Sequence, residues 1–288
     1  MAIKNEQKGD SVKKKRAFIL CIILIVASML LVAFDVRLKT VTYTIKSSKI
    51  TNEIKMVLIT DLHSCYHGKN QSNILNEVES YQPNAVLLGG DIFDDVLDDA
   101  NACALVDELA KKYKTYYVSG NHEWWSNRVQ DMFDYLTSKG VTALRGDVDI
   151  LTVGKDTLAI FGIDDPEVNV YDPTFKSWEE QLEQAGQNME ENCFNLLLAH
   201  RPEYVEKYFE YDFDAVLSGH AHGGQFRIPF IMNGFYAPNQ GLFPKLAGGI
   251  YEFDGGKLIV SRGLARESTR LPRIFNRPEL VFVNLIPE

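Results

Sequence analysis

The hydrophobic and polar positions of this 288-residue chain change rhythm twice near its start and once more in its middle. Residues 1–16 are polar, residues 17–34 are 18 consecutive uncharged and almost wholly apolar positions, and from residue 35 onward short apolar runs alternate with mixed stretches. The long run suffices to cross a bilayer as a helix, which takes about 17–25 apolar residues. A buried core helix would keep a polar face at helical period, and this run is apolar all round. Residues 37–45 then alternate as a strand does, and residues 54–60 form a compact apolar run that ends on Asp61. The same grammar returns further on. Residues 85–88 end at Gly89-Gly90-Asp91, 115–118 lead to Gly120-Asn121-His122, 194–198 lead to His200, and 215–217 lead to Gly219-His220. Helix-like stretches at 71–81, 100–113 and 127–139 separate the early strands, so the pattern predicts a mostly parallel sheet with helices on its faces. In the second half, strands at 149–153, 157–161, 249–253, 258–261 and 280–285 are expected, with Asp254-Gly255-Gly256 as a hairpin signal. They predict a second, mixed sheet packed on the first. No internal repeat, low-complexity tract or linker divides residues 36–288.

Charge gives the N-terminal segment a direction. Lys4, Lys8, Lys13, Lys14, Lys15 and Arg16 outnumber Glu6 and Asp10, and the 13–16 cluster abuts the apolar run, so the positive-inside rule puts the N-terminus in the cytoplasm. The run is longer than the roughly 7–15 residues of a signal-peptide core, and no small-x-small site precedes Phe34, which favours an uncleaved anchor. Without a twin arginine, the general secretory route is expected. The expected organisation is a cytoplasmic basic leader (1–16), a single-pass transmembrane anchor in the cell membrane (17–34) and an extracytoplasmic domain (35–288). Taking the leader's six basic and two acidic residues from the totals of 30 and 39 leaves 24 against 37, a net charge of −13. Such a body repels nucleic-acid backbones and disfavours a nuclease role. Cys21 lies in the span, and Cys65, Cys103 and Cys193 show neither metal-finger spacing nor a disulfide framework. They read as small half-buried residues, with Cys65, two after His63, the one placed to touch a site.

Candidate chemistry sits where the strands end. Five of the six histidines lie in an ordered series: Asp61-Leu62-His63, Gly90-Asp91, Gly120-Asn121-His122, His200, and Gly219-His220-Ala221-His222. Imidazole, carboxylate and one amide oxygen form a donor set for Zn, Mn or Fe, and a pair of such ions can clamp the attacking and leaving oxygens of a phosphate ester. A lone strand-end histidine is ordinarily structural. Five pieces in order, with Asp91 thirty residues from both Asp61 and Asn121, are not chance polar loops. Loops leaving the C-terminal ends of strands in open α/β sheets converge in a crevice, where such sites belong. His67 falls outside the series and reads as a loop residue.

These motifs, with Leu197-Leu198-Ala199-His200-Arg201-Pro202-Glu203 and Gly219-His220-Ala221-His222-Gly223-Gly224-Gln225, resemble the calcineurin-like metallophosphoesterases, most of all their exported or membrane-attached bacterial branch. The resemblance runs from Asp61 to His222 and more loosely to the C-terminus. It implies an α/β fold, a four-layer αββα sandwich of two mixed sheets, behind the N-terminal transmembrane helix. It also implies two metal ions, Mn, Zn or Fe. Asp61, His63 and His222 would hold the first, Asn121, His200 and His220 the second, and Asp91 would bridge both. A hydroxide between the ions would attack a phosphodiester or phosphomonoester. His122 would then act as general acid or phosphate-oxygen stabiliser, oriented by Asp94, with Asp95 beside it able to substitute. Glu123 stands where many relatives carry Asp, which leaves its role open.

A protein phosphatase would carry Asp-Arg-Gly after the second motif, and this chain has Asp94-Asp95-Val96. A binding or scaffold protein that kept the fold without catalysis would ordinarily have lost a ligand or His122, and all are present. A pyrophosphatase acting on a nucleotide-linked or lipid-linked substrate is the alternative to a simple esterase. The expected partner is a phosphate ester, lipid-linked or envelope-derived, on the ground of location alone. Trp124, Trp125, Tyr116 and Tyr117 are expected to pack in the core rather than stack on substrate. Within residues 229–244, Phe230, Ile231, Phe235 and Phe243 are expected to be buried, with a cap beside the site or contact with lipid as the alternative. Arg227, Arg262 and Arg273 are candidates for binding substrate phosphate.

Overall fold

The long apolar run becomes the C-terminal part of helix α1 (Ala2–Ala33) in a computed structural model that describes residues 2–266 and 271–288, with side chains from residue 13 onward. Its large apolar side chains between Phe18 and Val32 are exposed all round, and among its described side chains only Ala33, at its end, is buried. The strands are, in chain order, β1 (Lys39–Ser47), β2 (Ile54–Ile59), β3 (Ala85–Gly89), β4 (Lys114–Val118), β5 (Thr142–Ala143), β6 (Val148–Val153), β7 (Asp156–Gly162), β8 (Phe194–Leu198), β9 (Ala215–Ser218), β10 (Tyr236–Ala237), β11 (Gly241–Leu242), β12 (Gly249–Phe253), β13 (Gly256–Val260) and β14 (Glu279–Pro287). One six-stranded sheet has the order β1-β14-β2-β3-β4-β5 and the other the order β12-β13-β9-β8-β7-β6.

In the first sheet β2 to β5 run parallel, joined by α2 (Ser72–Tyr81), by α3 (Ala100–Lys112), and by α4 (Asn121–Trp125) with α5 (Val129–Ser138). In the second, β13, β9, β8 and β7 are parallel and antiparallel strands flank them. The period of two along each strand sorts its side chains. Ile54, Met56 and Leu58 of β2 join Leu158, Leu196, Leu217 and Ile259 of the other sheet in one cluster, the seam between the sheets. Val57 and Ile59 point the other way, into a cluster with Ile74 and Val78 of α2 and Leu105 and Leu109 of α3. On the far side, Leu197 and Val216 meet Trp178 and Leu182, which lie on α7 (Trp178–Gln187), the helix after the single turn α6 (Val168–Tyr171). Four layers result, helix, sheet, sheet, helix. Strands apolar on both faces are what a sheet covered on both sides requires.

The first expected helix starts at Ser72 rather than residue 71, because Gln71 takes a left-handed φ of 61°. The stretch expected at 127–139 forms α5, with the one-turn α4 before it an addition the pattern did not show. Helix α7 was not expected, although its start carries a capping box, Glu180 N donating to Ser177 Oγ (3.2 Å) and Ser177 N to Glu180 Oε2 (2.8 Å). The hairpin turns at Asp254-Gly255, with Gly255 at a φ of 105°. β14 threads between β1 and β2, parallel to one and antiparallel to the other, a pairing no local pattern announces.

Candidate active site

Each motif leaves the C-terminal end of a parallel strand: Asp61 and His63 after β2, Asp91 after β3, Asn121 and His122 after β4, His200 after β8, His220 and His222 after β9. The two sheets therefore contribute to one cleft. The backbone there is unusual, with Asp61, His63, Asp91, His220 and His222 at φ between 47° and 64°. Non-glycine residues in the left-handed region cost about 1–3 kcal/mol each and cluster at functional sites. Gly90 (φ 88°) and Gly120 make the close approach possible. A Cβ on Gly90 would lie 2.5 Å from His200 Nδ1, and one on Gly120 would lie 2.3 Å from Asp91 Oδ1.

Ligand-capable atoms of Asp61, His63, Asp91 and His222 lie within 4.8 Å of one another, and so do those of Asp91, His200 and His220. Asp91 belongs to both groups. Its Oδ1 accepts from His122 N (2.9 Å), while Oδ2 faces His200 Nε2 (3.2 Å) and His63 Nε2 (3.5 Å). Three of the four imidazoles that could ligate, all but His222, are fixed by the other nitrogen. His200 Nδ1 donates to Gly89 O (2.8 Å), His63 Nδ1 to Asp94 Oδ1 (3.0 Å), and His220 Nε2 to Asn239 Oδ1 (2.9 Å). Such partners set tautomer and ring orientation for a metal ligand.

The polar atoms these contacts leave over are decisive. Asp61 Oδ2, His63 Nε2, Asp91 Oδ2, Asn121 Oδ1, His200 Nε2, His220 Nδ1 and His222 Nδ1 are buried without a hydrogen-bond partner. Buried polar groups are ordinarily satisfied, so a concentration of orphans at one cleft marks where a missing group belongs. Oxygen and imidazole donors suit divalent or trivalent transition metals, and the residues present fit such ions. Electrostatics agree. Burial and the nearby Asp91 push Asp61 up, whereas Asp91, despite its burial, is held well below the usual range by His200, His122 and His63. Burial holds His220 and His222 low, helped by His200 and His63 respectively, which keeps them neutral and able to ligate.

His122 stands at the rim. Burial opposes its charge, but Asp91, Asp94 and Asp95 overcome that and raise it to about 10. Its Nδ1 lies 2.6 Å from Asp95 Oδ1 and 3.4 Å from Asp94 Oδ1. Asp95 is thus its nearer partner, while Asp94 divides itself between His122 and His63 and accepts from Val96 N and Leu97 N. Glu123 gains a definite place. Its Oε2 accepts from Asp91 N (2.9 Å) and Gly120 N (2.8 Å), its Oε1 from Ile92 N (2.7 Å) and Phe93 N (3.1 Å), tying the second motif to the third. Burial and Asp91 push its carboxyl up to about 8, against the pull of those amides.

A calcineurin-like phosphoesterase family model matches residues 54–224, the whole of the stretch that carries these candidate ligands. The chain belongs to the calcineurin-like phosphoesterases. Its domain is a metallophosphoesterase domain with a buried His/Asp cluster able to hold metal. Among relatives, it is 27% identical to an uncharacterized metallophosphoesterase of Helicobacter pylori, over 83% of this chain and 62% of that protein. It is 28% identical to a bovine transmembrane protein with metallophosphoesterase domain, over 65% of this chain and 45% of that protein. The chain thus spans less than two thirds of the length of either. A solved phosphopantetheinyl hydrolase from Mycobacterium tuberculosis aligns with 77% of this chain and 95% of its own at 14% identity and a TM-score of 0.46.

Several weaker expectations change. Trp124, Tyr116 and Tyr117 are buried as expected, but Trp125 is exposed and its ring lies 4.8 Å from that of His122. Phe230, Ile231, Phe235 and Phe243 are exposed, not buried, because the 226–244 segment lies over the rim of the fold rather than in its core. Arg262 is paired with Glu279 (2.7 Å), and the buried Arg273 donates to the carbonyls of Ala265, Arg262 and Gly263, so both guanidinium groups serve the scaffold. Arg227 donates to Asn233 O (3.0 Å). His67 is a loop residue with Nε2 on Leu264 O (2.9 Å), and Cys65 Sγ accepts from Arg266 N (3.3 Å) outside both ligand groups. The reading of the motifs missed Asn239, whose contact with His220 no sequence spacing signals. It also missed Asp165, which binds Arg201 through two short contacts (2.7 and 2.9 Å) just behind His200.

Proposed function

We propose that the protein is a membrane-anchored phosphohydrolase that uses two metal ions and works outside the cytoplasm, with 1–16 as a cytoplasmic leader, 17–34 as the span and 35–288 as the hydrolase domain. One observation carries the hydrolase reading: seven buried orphan atoms, one from each residue of the ligand series. In this reading Asp61, His63 and His222 hold one ion, Asn121, His200 and His220 hold the other, and Asp91 serves both. When bound, the pair supplies charge neutralisation for a phosphate ester and acidifies water toward neutral pH.

The chain's own residues do the rest. Gly89 O, Asp94 and Asn239 hold the ligating imidazoles in register, and Glu123 holds the loop of Asp91 against that of Asn121. His122, charged and gripped at Nδ1 by Asp95, offers its Nε2 proton to the leaving oxygen as the P–O bond breaks. The substrate is a phosphomonoester or phosphodiester, carried by a lipid or envelope component. Anchoring is supported by the exposed apolar helix behind Lys13 to Arg16 and by the name of the bovine relative. The test is elemental analysis of the full chain purified in detergent, followed by hydrolysis of a panel of phosphomonoesters, diesters and pyrophosphates. Two ions per chain and turnover of an ester support the reading. Turnover of pyrophosphates alone would move it to the pyrophosphatase class. A metal-loaded chain inert on the whole panel would make it a binding protein of this fold.

A further inference from the structure

The segment between the last ligands and β12 is the most apolar exposed surface of the domain, and it is tied both to the site and to the end of α1. Ile228, Phe230, Ile231, Leu242 and Phe243 are exposed, Ile231 at 82% and Phe243 at 64% of the possible surface, and no described residue covers Phe230. Scattered single apolar residues on a surface are normal, but a contiguous set of large ones marks a binding face. The base of the segment pairs with residues 274–276, Arg227 N donating to Ile274 O (3.0 Å) and Asn276 Nδ2 to Gln225 O (3.2 Å). The next contact along that stretch is the helix itself, Phe275 N donating to Ala33 O (2.7 Å), with Phe34 exposed beside it. At its far end, Asn239 holds His220, and a groove of about 560 Å³ runs from Leu242 and Phe243 to Glu203, 3.9 Å from His220 Nε2.

Charge points to one occupant. In a chain of net charge −9, no acidic residue occurs between Asp214 and Glu252, while Arg227 and Lys245 flank the exposed apolar tip. Apolar and aromatic side chains edged by cations are the composition of a segment lying at an anionic bilayer surface. We propose that residues 228–243 lie in the interfacial layer of the leaflet from which α1 emerges, holding the mouth of the metal site against the membrane. This inference rests on the anchored reading above and narrows the substrate to a phosphate ester presented at the lipid surface.

The test places a tryptophan at Phe230, Phe243 or, as a reference in the span, Leu31, all exposed positions whose exchange leaves the packed core untouched. The full chain is reconstituted in bilayer nanodiscs of phosphatidylcholine and phosphatidylglycerol. The emission added over the parent protein is read with acyl-brominated lipid and with aqueous iodide. Phe230→Trp and Phe243→Trp are expected to emit to the blue of a water-exposed indole, to lose at least half of their emission to brominated lipid, and to ignore iodide. Quenching of Leu31→Trp by brominated lipid with the loop probes open to iodide overturns the docking while the anchor stands. Leu31→Trp open to iodide overturns the anchor and the docking with it. Loop probes shielded from both quenchers assign the face to a protein surface and overturn the lipid assignment.

Discussion

Replacing Glu123 by glutamine changes one atom and asks how the loops of the cleft are held together. The carboxylate receives four backbone N–H groups, two on each oxygen, at 2.7 to 3.1 Å. A glutamine keeps a single acceptor oxygen. Whichever pair of amides retains it, the other two face an NH₂ group and lose their acceptor inside a fully buried site. Each buried donor left unsatisfied costs about 1–3 kcal/mol, so Glu123→Gln should destabilise the fold by about 2–6 kcal/mol. Against a typical total of about 5–15 kcal/mol, the variant folds, but with the Asp91 loop poorly held. At about 2–4 °C per kcal/mol for a domain of this size, melting of the detergent-solubilised chain, followed by the fluorescence of the adjacent Trp124, should drop by about 4–24 °C, and metal affinity should fall with it. The opposing effect is burial beside Asp91, which pushes the carboxyl up to about 8. If the carboxyl keeps its proton at the pH of the assay, glutamine mimics the neutral acid well, and the melting temperature scarcely moves. A shift below about 2 °C with wild-type metal content would refute the cradle argument built on the per-amide cost.

Asp91→Asn should lose far more activity than a change of an exposed charge and should bind less metal, since Asp91 Oδ2 faces both His63 and His200; wild-type rate and metal content would remove Asp91 from the site. His122→Ala should keep its metal yet lose about 10²- to 10⁴-fold in rate, more on alkyl esters, whose leaving oxygen needs a proton, than on nitrophenyl esters; an equal loss on both would favour stabilisation of phosphate charge, and loss of metal would count against either role. His200 is raised to about 10 because Asp91 and Asp61 outweigh its burial, so below that pH a metal ion must displace its proton. Apparent metal affinity should therefore rise with pH through the neutral range, and calorimetry in buffers of different ionisation heat should find a proton released; affinity independent of pH would falsify this.

Strand-end grammar made the first sheet legible, because runs such as 54–59 and 85–89 are apolar on both faces and stop abruptly just before Asp61 and Asp91. Helix α7 escaped because its apolar stripe is sparse, and only the Ser177 and Glu180 cap announces it. The insertion of β14 between β1 and β2 is a contact across most of the chain, which no local periodicity encodes. At the site, residue types told which atoms could ligate but not how each would be held. Asp94 and Asp95 are neighbours with interchangeable chemistry, and only the fold aims Asp95 at His122 and Asp94 at His63. The 229–244 segment misled because aromatic content speaks for burial on average, and position on the rim overrides the average.

The same cleft collects two kinds of energetic debit, and their coincidence bears on how the protein folds as well as what it does. Asp61, His63, Asp91, His220 and His222 all take left-handed backbone, at about 1–3 kcal/mol each. Their side chains also carry buried atoms without partners. Local contacts offset part of this: Asp61 Oδ1 accepts from His220 N (2.9 Å), Asn276 Nδ2 donates to His222 O (2.8 Å), and Glu123 steadies the Asp91 loop. None of these reaches the orphan atoms themselves, and Asp61, His63, His200, His220 and His222 all lie in the two groups that share Asp91. The rigid sheets hold the strand ends in place, so relaxation of the loops alone cannot disperse the carboxylates and imidazoles. A cation is the kind of group that satisfies oxygen and nitrogen lone pairs together and removes the repulsion between Asp61 and Asp91. Stability and chemistry then share one cause in the proposed function, since the geometry that strains this cleft is the geometry that bound metal ions would relieve.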